Sequence, residues 1–235
     1  MCVNYVTVSK QTLANEFDTV FDQHAEWNEE LYRDYLGPII IKGTSDARQG
    51  VVANYGMIPR RFMPPGLQLS TMNARSDTVG SLRTYKQYWK TCQFCLVPMK
   101  QFFEPNYEAG EHIRWSIGMR DESPFAVAGI YREWEEVDGT TAYAFTQLTI
   151  NADEHSLMRR FHKTGEEKRQ LVIIPRSEYD DWLGCTDPEF ARTYLQGFDA
   201  ELMTAAPAPK PKKVAIIKKA SSANALANPN FDLFA

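Results

Sequence analysis

The sequence predicts an α+β fold, in which a single domain is built on a strongly curved, barrel-like β-sheet with short flanking helices. Three observations predict it. Segments rich in β-branched and aromatic residues dominate the middle of the chain, and helical patterns are few and short. Asp138-Gly139 joins two alternating segments and is typical of a hairpin turn. Many strands with few long helices favour a sheet that curves towards closure.

The first half of the chain is predicted to hold short strands and two helices. Residues 15–35 carry apolar side chains at helical spacing, and the Gly-Pro pair that follows ends the pattern. A second helix is expected to run towards Trp89, with Thr78 or Ser81 as its cap. Runs of β-branched and aromatic residues predict three strands, at 3–8, 39–41 and 51–58.

The second half is dominated by predicted strands. They are, in order, "CQFCLVPMKQFFE", "EHIRWSIGMR", "FAVAGIYREWEEV", "TTAYAFTQLTI" and "RQLVIIP". Short helices are predicted at "DEHSLMRR", "SEYDDWL" and "PEFARTYLQGF". Composition changes at Ala205, after which alanine, proline and lysine prevail and little can be buried. The sequence therefore predicts a domain over 1–204, a disordered linker over 205–227 and a short linear motif over 228–235.

Composition limits the function classes. The net charge is −4, so a wholly basic surface is not expected, although clustered arginines can still present one cationic groove to a polyanion. No apolar run is long enough to cross a bilayer, and the N-terminus lacks the pattern of a secretory signal, which predicts a cytoplasmic protein with thiols rather than disulfides. Cys92 and Cys95 form a single CxxC, a weak zinc signal, so neither a metal nor a cofactor is predicted.

Cys2 is the first candidate for chemistry. An aminopeptidase removes Met1 when the next side chain is small, and the product would carry an amine and a thiol on adjacent carbons. The α-amine has a pKa of about 8, so a useful fraction is a neutral nucleophile at neutral pH. Such a pair condenses with an aldehyde to an imine, which the thiol closes to a thiazolidine. The same pair could instead attack a peptide carbonyl, as N-terminal-nucleophile hydrolases do.

Three further stretches contain polar residues that chemistry could use. "NARSD" places the amide of Asn73 two residues before the guanidinium of Arg75. "CLVPMKQFFEP" runs an apolar strand into Glu104, and "MRRFHK" places His162 beside two arginines. Taken one at a time, each also fits a structural role: a turn asparagine, a glutamate at a strand end and a surface histidine.

Together these stretches resemble one family. Met-Cys at the start, "NARSD", "CLVP" leading to "FFE", "FAVAGIYREW" and a late histidine before an apolar strand occur in that order. They are similar to the SOS response-associated peptidase (SRAP) family, whose members sense abasic sites in single-stranded DNA. The resemblance spans about the first 200 residues, the length of one domain, and implies a compact α+β domain around a barrel-like sheet. It also implies a monomer that binds abasic single-stranded DNA.

The resemblance implies a role for each residue. Mature Cys2 would trap the aldehyde of the open-chain sugar, Glu104 would act as base or proton shuttle, and His162 would protonate the ring oxygen. Asn73 would orient the amine or the sugar. Five arginines would contact DNA: Arg75 as a phosphate ligand, Arg60 and Arg61 after "YGMIP", and Arg83 and Arg169 at basic positions of the family.

The chain departs from the family pattern in two places near these residues. Val3 and Asn4 follow Cys2, where the family usually has Gly-Arg. Between His162 and Leu171 the chain has the insertion "KTGEEKR", where the family has a tight "HDRMP". Both differences concern the expected contacts with DNA more than the expected chemistry.

The C-terminal "NPNFDLFA" suggests a separate interaction. Its pentapeptide resembles the bacterial sliding-clamp-binding motif, with Asn230 in place of the usual glutamine, followed by Phe231, Asp232, Leu233 and Phe234. A terminal apolar anchor on a flexible tether is a common way to display a short motif. The sliding clamp is therefore a predicted partner, and the alternative is that this segment folds back onto the domain.

Three functions remain open at this point. The chain could trap abasic sites covalently, it could be an N-terminal-cysteine peptidase acting on itself or on other proteins, or it could bind nucleic acid without catalysis. The first two share Cys2, Glu104 and His162, and therefore the sequence does not separate them.

Overall fold

The computed structural model of the chain describes residues 4–44, 47–67 and 69–210. Strands account for most of the regular structure. They are β1 (Tyr5–Val6), β2 (Glu30–Leu31), β3 (Leu36–Lys42), β4 (Arg48–Tyr55), β5 (Asn73–Arg75), β6 (Phe94–Met99), β7 (Gln101–Asn106), β8 (Ile113–Met119), β9 (Phe125–Glu135), β10 (Thr141–Asn151), β11 (Arg169–Leu171), β12 (Ile173–Ile174) and β13 (Met203–Pro207). The helices are α1 (Lys10–Phe17), α2 (Lys86–Lys90) and α3 (Tyr179–Gly184), with short 3₁₀ turns between strands.

Five strands close into a ring, in the order β10, β4, β3, β6 and β9, with β9 pairing back onto β10. The predicted hairpin is confirmed: β9 and β10 are antiparallel, from Thr141 opposite Glu135 to Gln147 opposite Gly129. Gly129 permits the close approach of the strands, since a Cβ there would lie 2.8 Å from the sulfur of Cys95. The predicted α+β domain with a barrel-like sheet is therefore confirmed.

A second sheet of five strands, in the order β13, β8, β7, β1 and β2, covers the ring. The two sheets share one hydrophobic cluster, which includes Tyr5 and Phe102 from the second sheet and Tyr55 and Phe145 from the ring. Alternate residues of the ring strands face the other way and pack on the helices in a second cluster. The second sheet carries both the N-terminal strand β1 and β7, which places β1 beside the strand that contains Glu104.

Two predicted strands are each divided in the structure. "CQFCLVPMKQFFE" forms β6 in the ring and β7 in the second sheet, and Lys100 lies between them and donates its N–H to the carbonyl of Val6 at 2.9 Å. "RQLVIIP" forms β11 on β10 and β12 on β9. The first division decides the site, because it moves Glu104 from the ring to the strand that pairs with β1.

The predicted helix over residues 15–35 is wrong. Helix α1 covers Lys10–Phe17, its N-cap Ser9 accepts the N–H of Thr12 at 3.1 Å, and it ends at Asp18, whose φ is 49°. The apolar residues beyond it serve other contacts: Val20 is 81% exposed, and Leu31 lies in β2. Helix α2 begins after Tyr85, and neither Thr78 nor Ser81 caps it.

Two further segments that were predicted to be helices form only short 3₁₀ turns. Only Met158–Arg160 is helical in "DEHSLMRR", and only Phe190–Tyr194 in the last predicted helix. The predicted helix at "SEYDDWL" is present as α3.

Regular structure continues past the predicted domain boundary at residue 204. Strand β13 runs from Met203 to Pro207 along β8, and the N–H of Ala208 donates to the carbonyl of Arg114 at 2.8 Å. The alanine- and proline-rich stretch thus begins as the edge strand of the second sheet. The remainder of the predicted linker, from 211, and the terminal motif lie outside the described residues. Within the described part of the chain, no helix is long and apolar enough to cross a membrane.

Candidate active site

Glu104 lies on β7 with its side chain on the same face as the core residue Phe102, because successive strand residues alternate. It is 2% exposed. Burial disfavours the charged carboxylate and raises the pKa of Glu104 from 4.5 to about 7. The residue can therefore exchange a proton near neutral pH, as a general base or acid must.

His162 faces Glu104 from the loop after the 3₁₀ turn Met158–Arg160. Its Nε2 lies 3.7 Å from Oε2 of Glu104. Its backbone adopts a φ of 64°, rare for a residue other than glycine, and its N–H donates to the carbonyl of Pro105 at 2.9 Å. A neighbouring bridge between Asn106 and Phe161 adds to this constraint. Strand β7 thus holds the histidine in place through its backbone.

The Glu104–His162 contact is not an ion pair near neutral pH. Burial lowers the pKa of His162 from 6.5 to about 4, so the imidazole is uncharged there. Nε2 of His162 also lies 3.3 Å from the carbonyl oxygen of Arg169, and a carbonyl only accepts, so Nε2 carries the proton when this bond forms. Of the two residues, Glu104 is the one suited to proton transfer at neutral pH.

The N-terminal strand runs beside Glu104. Tyr5 of β1 pairs with Phe102 of β7, and the N–H of Phe103 donates to the carbonyl of Asn4 at 3.2 Å. The side chain of Asn4 donates to Glu30 on β2, which also accepts from Arg114. Cys2 lies outside the described residues, and Asn4 is two residues after it.

Asn73 lies on β5, buried and opposite Gln147 of β10. The hydroxyl of Tyr55 donates to Oε1 of Gln147 at 3.0 Å, and the ring of Tyr55 packs edge-on against Tyr5 at 5.3 Å between centroids. A chain of polar and aromatic contacts therefore connects the neighbour of Asn73 with the strand that leads to Cys2.

Arg75 and Arg169 lie close together, and both bind the carboxylate of Glu167. Arg75 donates to Asp77 at 2.8 Å and to Glu167 at 2.7 Å, which raises its pKa. The side chain of Arg169 is 6% exposed and donates to the carbonyl of Thr149 and to Glu167, both at 2.7 Å. Arg169 is therefore committed to internal contacts, and of the two only Arg75 is substantially exposed.

The other predicted DNA-binding arginines lie apart from this pair. Arg60 and Arg61 form a 3₁₀ turn after Pro59, and Arg61 is paired with Glu136 beyond the end of β9. The side chain of Arg60 is 72% exposed and lies 4.0 Å from Asp34. Arg83 is exposed in the turns before α2. The structure thus gives these three residues surface positions.

The three cysteines in the described part of the chain and one large groove lie apart from Glu104 and His162. Cys95 is buried in the core, whereas Cys92 and Cys185 are half-buried thiols. Among the described residues, no group of three or more His, Cys, Asp or Glu side chains could hold a metal ion. A groove of about 1060 Å³ is lined by residues such as Phe125, Ile173 and Leu202, and it contains none of the predicted site residues.

Three residues near the site were missed by sequence reasoning. Gln147 is buried within β10, and a glutamine in the middle of an apolar strand was the available signal. Glu30 and Glu167 gave no such signal, because each is one of many acidic residues in polar stretches. Their importance comes from partners far along the chain, Arg114 and Arg75.

Comparisons with known proteins agree with this fold. The family model described as SOS response associated peptidase (SRAP) matches residues 1–212. The abasic site processing protein YobE of Bacillus subtilis (strain 168) is 26% identical over 211 residues, covering 83% of this chain and 91% of its own. The abasic site processing protein YoqW of the same organism is 26% identical over 209 residues, covering 83% and 88%.

Solved structures show the same architecture. A crystal structure of a protein from Bordetella bronchiseptica superposes with a TM-score of 0.78 at 28% identity, covering 89% of this chain and all of its own. A protein from Bacteroides thetaiotaomicron superposes with a TM-score of 0.69 at 23% identity, covering 88% and 91%, and this likeness shows the fold alone.

Proposed function

Because the chain belongs to the SOS response associated peptidase family, we propose that it captures abasic sites in single-stranded DNA as a covalent thiazolidine through Cys2. The buried Glu104, with its pKa raised to about 7, is the single observation that carries the proposal. It supplies a proton acceptor and donor beside the N-terminal strand. The names of the relatives YobE and YoqW support the substrate class.

The reach of the chain supports the role of Cys2. An extended chain spans at most about 3.6 Å per residue, so the Cα of Cys2 lies within about 7 Å of that of Asn4. Asn4 is hydrogen bonded to Phe103, the residue before Glu104. On this proposal, the amine of mature Cys2 would reach the Glu104 carboxyl group.

The proposed reaction needs only the amine and thiol of Cys2, the aldehyde of the sugar and a proton acceptor and donor. The amine of Cys2 adds to the aldehyde carbon of the open-chain sugar, and water leaves to give an imine. The thiol sulfur then adds to the imine carbon, its proton passes to the imine nitrogen, and a five-membered ring closes. Glu104 accepts a proton from the α-ammonium, which frees the amine to attack, or from the thiol, and it returns a proton to the departing hydroxyl.

His162 and Asn73 are proposed to position the reactants. A neutral imidazole is a weak acid, so at neutral pH His162 would act as a hydrogen-bond donor and Glu104 would supply the proton for ring opening. Asn73 would orient the sugar or amine with its amide. Arg75 and the exposed Arg60, Arg61 and Arg83 would contact phosphates, whereas Arg169, buried on Thr149, would support Arg75 indirectly.

The test is a crosslinking assay. Protein whose Met1 is shown by mass spectrometry to be removed is incubated with an oligonucleotide that carries one abasic site, and a denaturing gel is run. We expect a shifted band with the wild type and none with Cys2→Ala. The matched control is Cys92→Ala, which removes a half-buried thiol away from the site and should leave the band unchanged.

The same assay separates the alternatives. A band that survives Cys2→Ala would refute the thiazolidine. Absence of a band together with cleavage of a peptide substrate by the wild type but not by Cys2→Ala would favour the peptidase. Salt-sensitive binding to undamaged strands without any crosslink would favour a nucleic-acid-binding module.

A second partner, the sliding clamp, is proposed for the C-terminal motif. Its residues Asp232, Leu233 and Phe234 match the clamp-binding pattern, whereas Asn230 and Phe231 stand where glutamine and leucine are common. Binding of a peptide of residues 226–235 to purified clamp should be lost with Leu233→Ala and with Phe234→Ala. Equal affinity of the three peptides would exclude this partner.

A further inference from the structure

The insertion after His162 contains Glu167, whose carboxylate binds Arg75, the exposed member of the Arg75–Arg169 pair. NH1 of Arg75 donates to Oε2 of Glu167 at 2.7 Å, and NH2 donates to Oε1 at 3.3 Å. The other edge of the same guanidinium donates to Asp77 from Nε and NH2, the closer bond being 2.8 Å. Both edges of Arg75 thus bind carboxylates.

The geometry of this contact is the one that a phosphate would use. A guanidinium presents paired N–H groups that match two oxygens of a carboxylate or of a phosphate. Glu167 takes that position with two hydrogen bonds, and its side chain is 37% exposed. Exposed ion pairs of this kind stabilise a protein little, so an incoming phosphate can displace Glu167.

Glu167 also has a second partner that would retain it. Its Oε1 accepts from NH1 of the buried Arg169 at 2.7 Å. The loop itself is fastened by Lys168, whose ammonium donates to the carbonyls of His162 at 2.9 Å and Lys163 at 2.8 Å. The side chain of Glu167 can therefore leave Arg75 without opening the loop around His162.

We infer that Glu167 is an internal competitor for phosphate at Arg75 and thereby sets how selectively the site retains DNA. This inference rests on the proposed function. On an undamaged strand, a phosphate gains Arg75 only by displacing Glu167, so the contact adds little affinity. On an abasic strand, covalent capture holds the DNA and the exchange no longer limits binding. The competitor weakens unproductive binding more than productive capture.

The test compares two variants that remove one negative charge from adjacent positions. Glu167→Gln removes the competitor, whereas Glu166→Gln is the control, because in the described part of the chain the carboxylate of Glu166 contacts neither arginine. Affinity for an undamaged oligo-dT is measured by fluorescence anisotropy between about 50 and 200 mM salt. We expect Glu167→Gln to bind about two- to fivefold tighter at low salt. We also expect the log–log salt slope to steepen by up to about 0.7, the value of one added phosphate contact.

A double-mutant cycle locates the effect. In an Arg75→Gln background, Glu167→Gln should not increase the affinity for oligo-dT, because the guanidinium for which Glu167 and phosphate compete is absent. Equal gains from Glu166→Gln and Glu167→Gln would overturn the inference in favour of a general charge effect. Weaker binding by Glu167→Gln would overturn it in favour of a carboxylate that orients Arg75 productively.

Crosslinking is assayed in parallel on an abasic strand, so that covalent capture and competition at Arg75 are tested independently of each other. A wild type that binds oligo-dT but never crosslinks removes the proposed covalent capture, and the competition at Arg75 can still be measured. Normal crosslinking with no difference in oligo-dT affinity between Glu167→Gln and the wild type removes the competitor alone.

Discussion

The buried Glu104–His162 pair and the cluster of Arg75 and Arg169 are joined by one segment, residues 163–168, yet opposite physical effects govern them. Burial shifts the pKa of Glu104 upwards and that of His162 downwards, and both leave their ordinary ranges. In the cluster, nearby carboxylates offset the positive charges of the two arginines. Burial in a low dielectric shifts the pKa values of the first region, whereas carboxylates that bind the arginines of the second region reduce its attraction for an anion. Under the proposed function, the fold would fix the acid–base pair more firmly than the contacts with DNA.

The largest expected effect comes from removing the acid–base group. Glu104→Gln keeps the shape of the side chain but cannot exchange a proton near pH 7. We expect the single-turnover rate of crosslinking to fall by a factor of about 100 or more. The control is Glu108→Gln, which removes an exposed carboxylate paired with Arg160 just beyond the same strand, and it should retain the rate. A Glu104→Gln variant as fast as the wild type would show that the amine and thiol react without this group.

The two arginines should differ in their effect on stability. Arg169→Met would leave the carbonyl of Thr149 without the guanidinium that now donates to it at 2.7 Å. We expect the free energy of unfolding to fall by about 2 to 3 kcal/mol. Arg75→Met removes two partly exposed ion pairs and should cost about 1 kcal/mol or less. Urea unfolding of both variants checks this, and similar losses would mean that Arg75 is as structural as Arg169.

The pH dependence of stability should show the opposite shifts of the buried pair. Glu104 binds its proton more tightly in the folded state, so its contribution is full below pH 4.5 and is lost as the pH rises through about 7. His162 binds its proton more weakly when folded, so its contribution is full above pH 6.5 and is lost as the pH falls through about 4. Between pH 4.5 and 6.5 the two slopes cancel, and the pair adds little pH dependence to the wild type.

Single variants should reveal each slope. Glu104→Gln should become more stable as the pH rises from 4 to 6.5, and His162→Gln should become less stable between 4.5 and 7. Between pH 4.5 and 6.5 each variant should change by about 2 to 3 kcal/mol, in opposite directions, so the difference between their stabilities should change by about 5 kcal/mol, given about 1.4 kcal/mol per pH unit and proton. Urea unfolding at several pH values measures it. Parallel profiles for the two variants would show that the groups are not shifted in opposite directions.

The sequence predicted the parts of this molecule that local patterns control. The hairpin at Asp138-Gly139 follows from turn chemistry, and Glu104 stood out as an acid within an apolar strand. The helix over 15–35 failed because its apolar residues serve unrelated contacts that happen to have helical spacing. The edge strand Met203–Pro207 was missed because backbone pairing to β8 needs no apolar side chains.

The arginine cluster was the part that the sequence predicted least well. Five arginines were predicted to contact DNA, but the prediction had no means of finding the carboxylates that lie near four of them. Arg75 and Glu167 are separated by 92 residues and meet only because β5 and β11 both lie against β10. Such pairings depend on tertiary structure, and no local signal announces them.

The smallest expected effect compares an arginine that is neutralised with one that is not. Arg83 is exposed and makes no ion pair within the described residues, whereas Arg75 binds two carboxylates. If both contact phosphates, Arg83→Gln should lower the log–log salt slope for single-stranded DNA by about 0.7, the full value of one contact. Arg75→Gln should lower it by less, because a phosphate that reaches Arg75 displaces a carboxylate, which then takes up a cation. Anisotropy titrations over the same salt range measure both slopes. A larger change for Arg75→Gln than for Arg83→Gln would show that the carboxylates bound to Arg75 do not weaken its contact with phosphate.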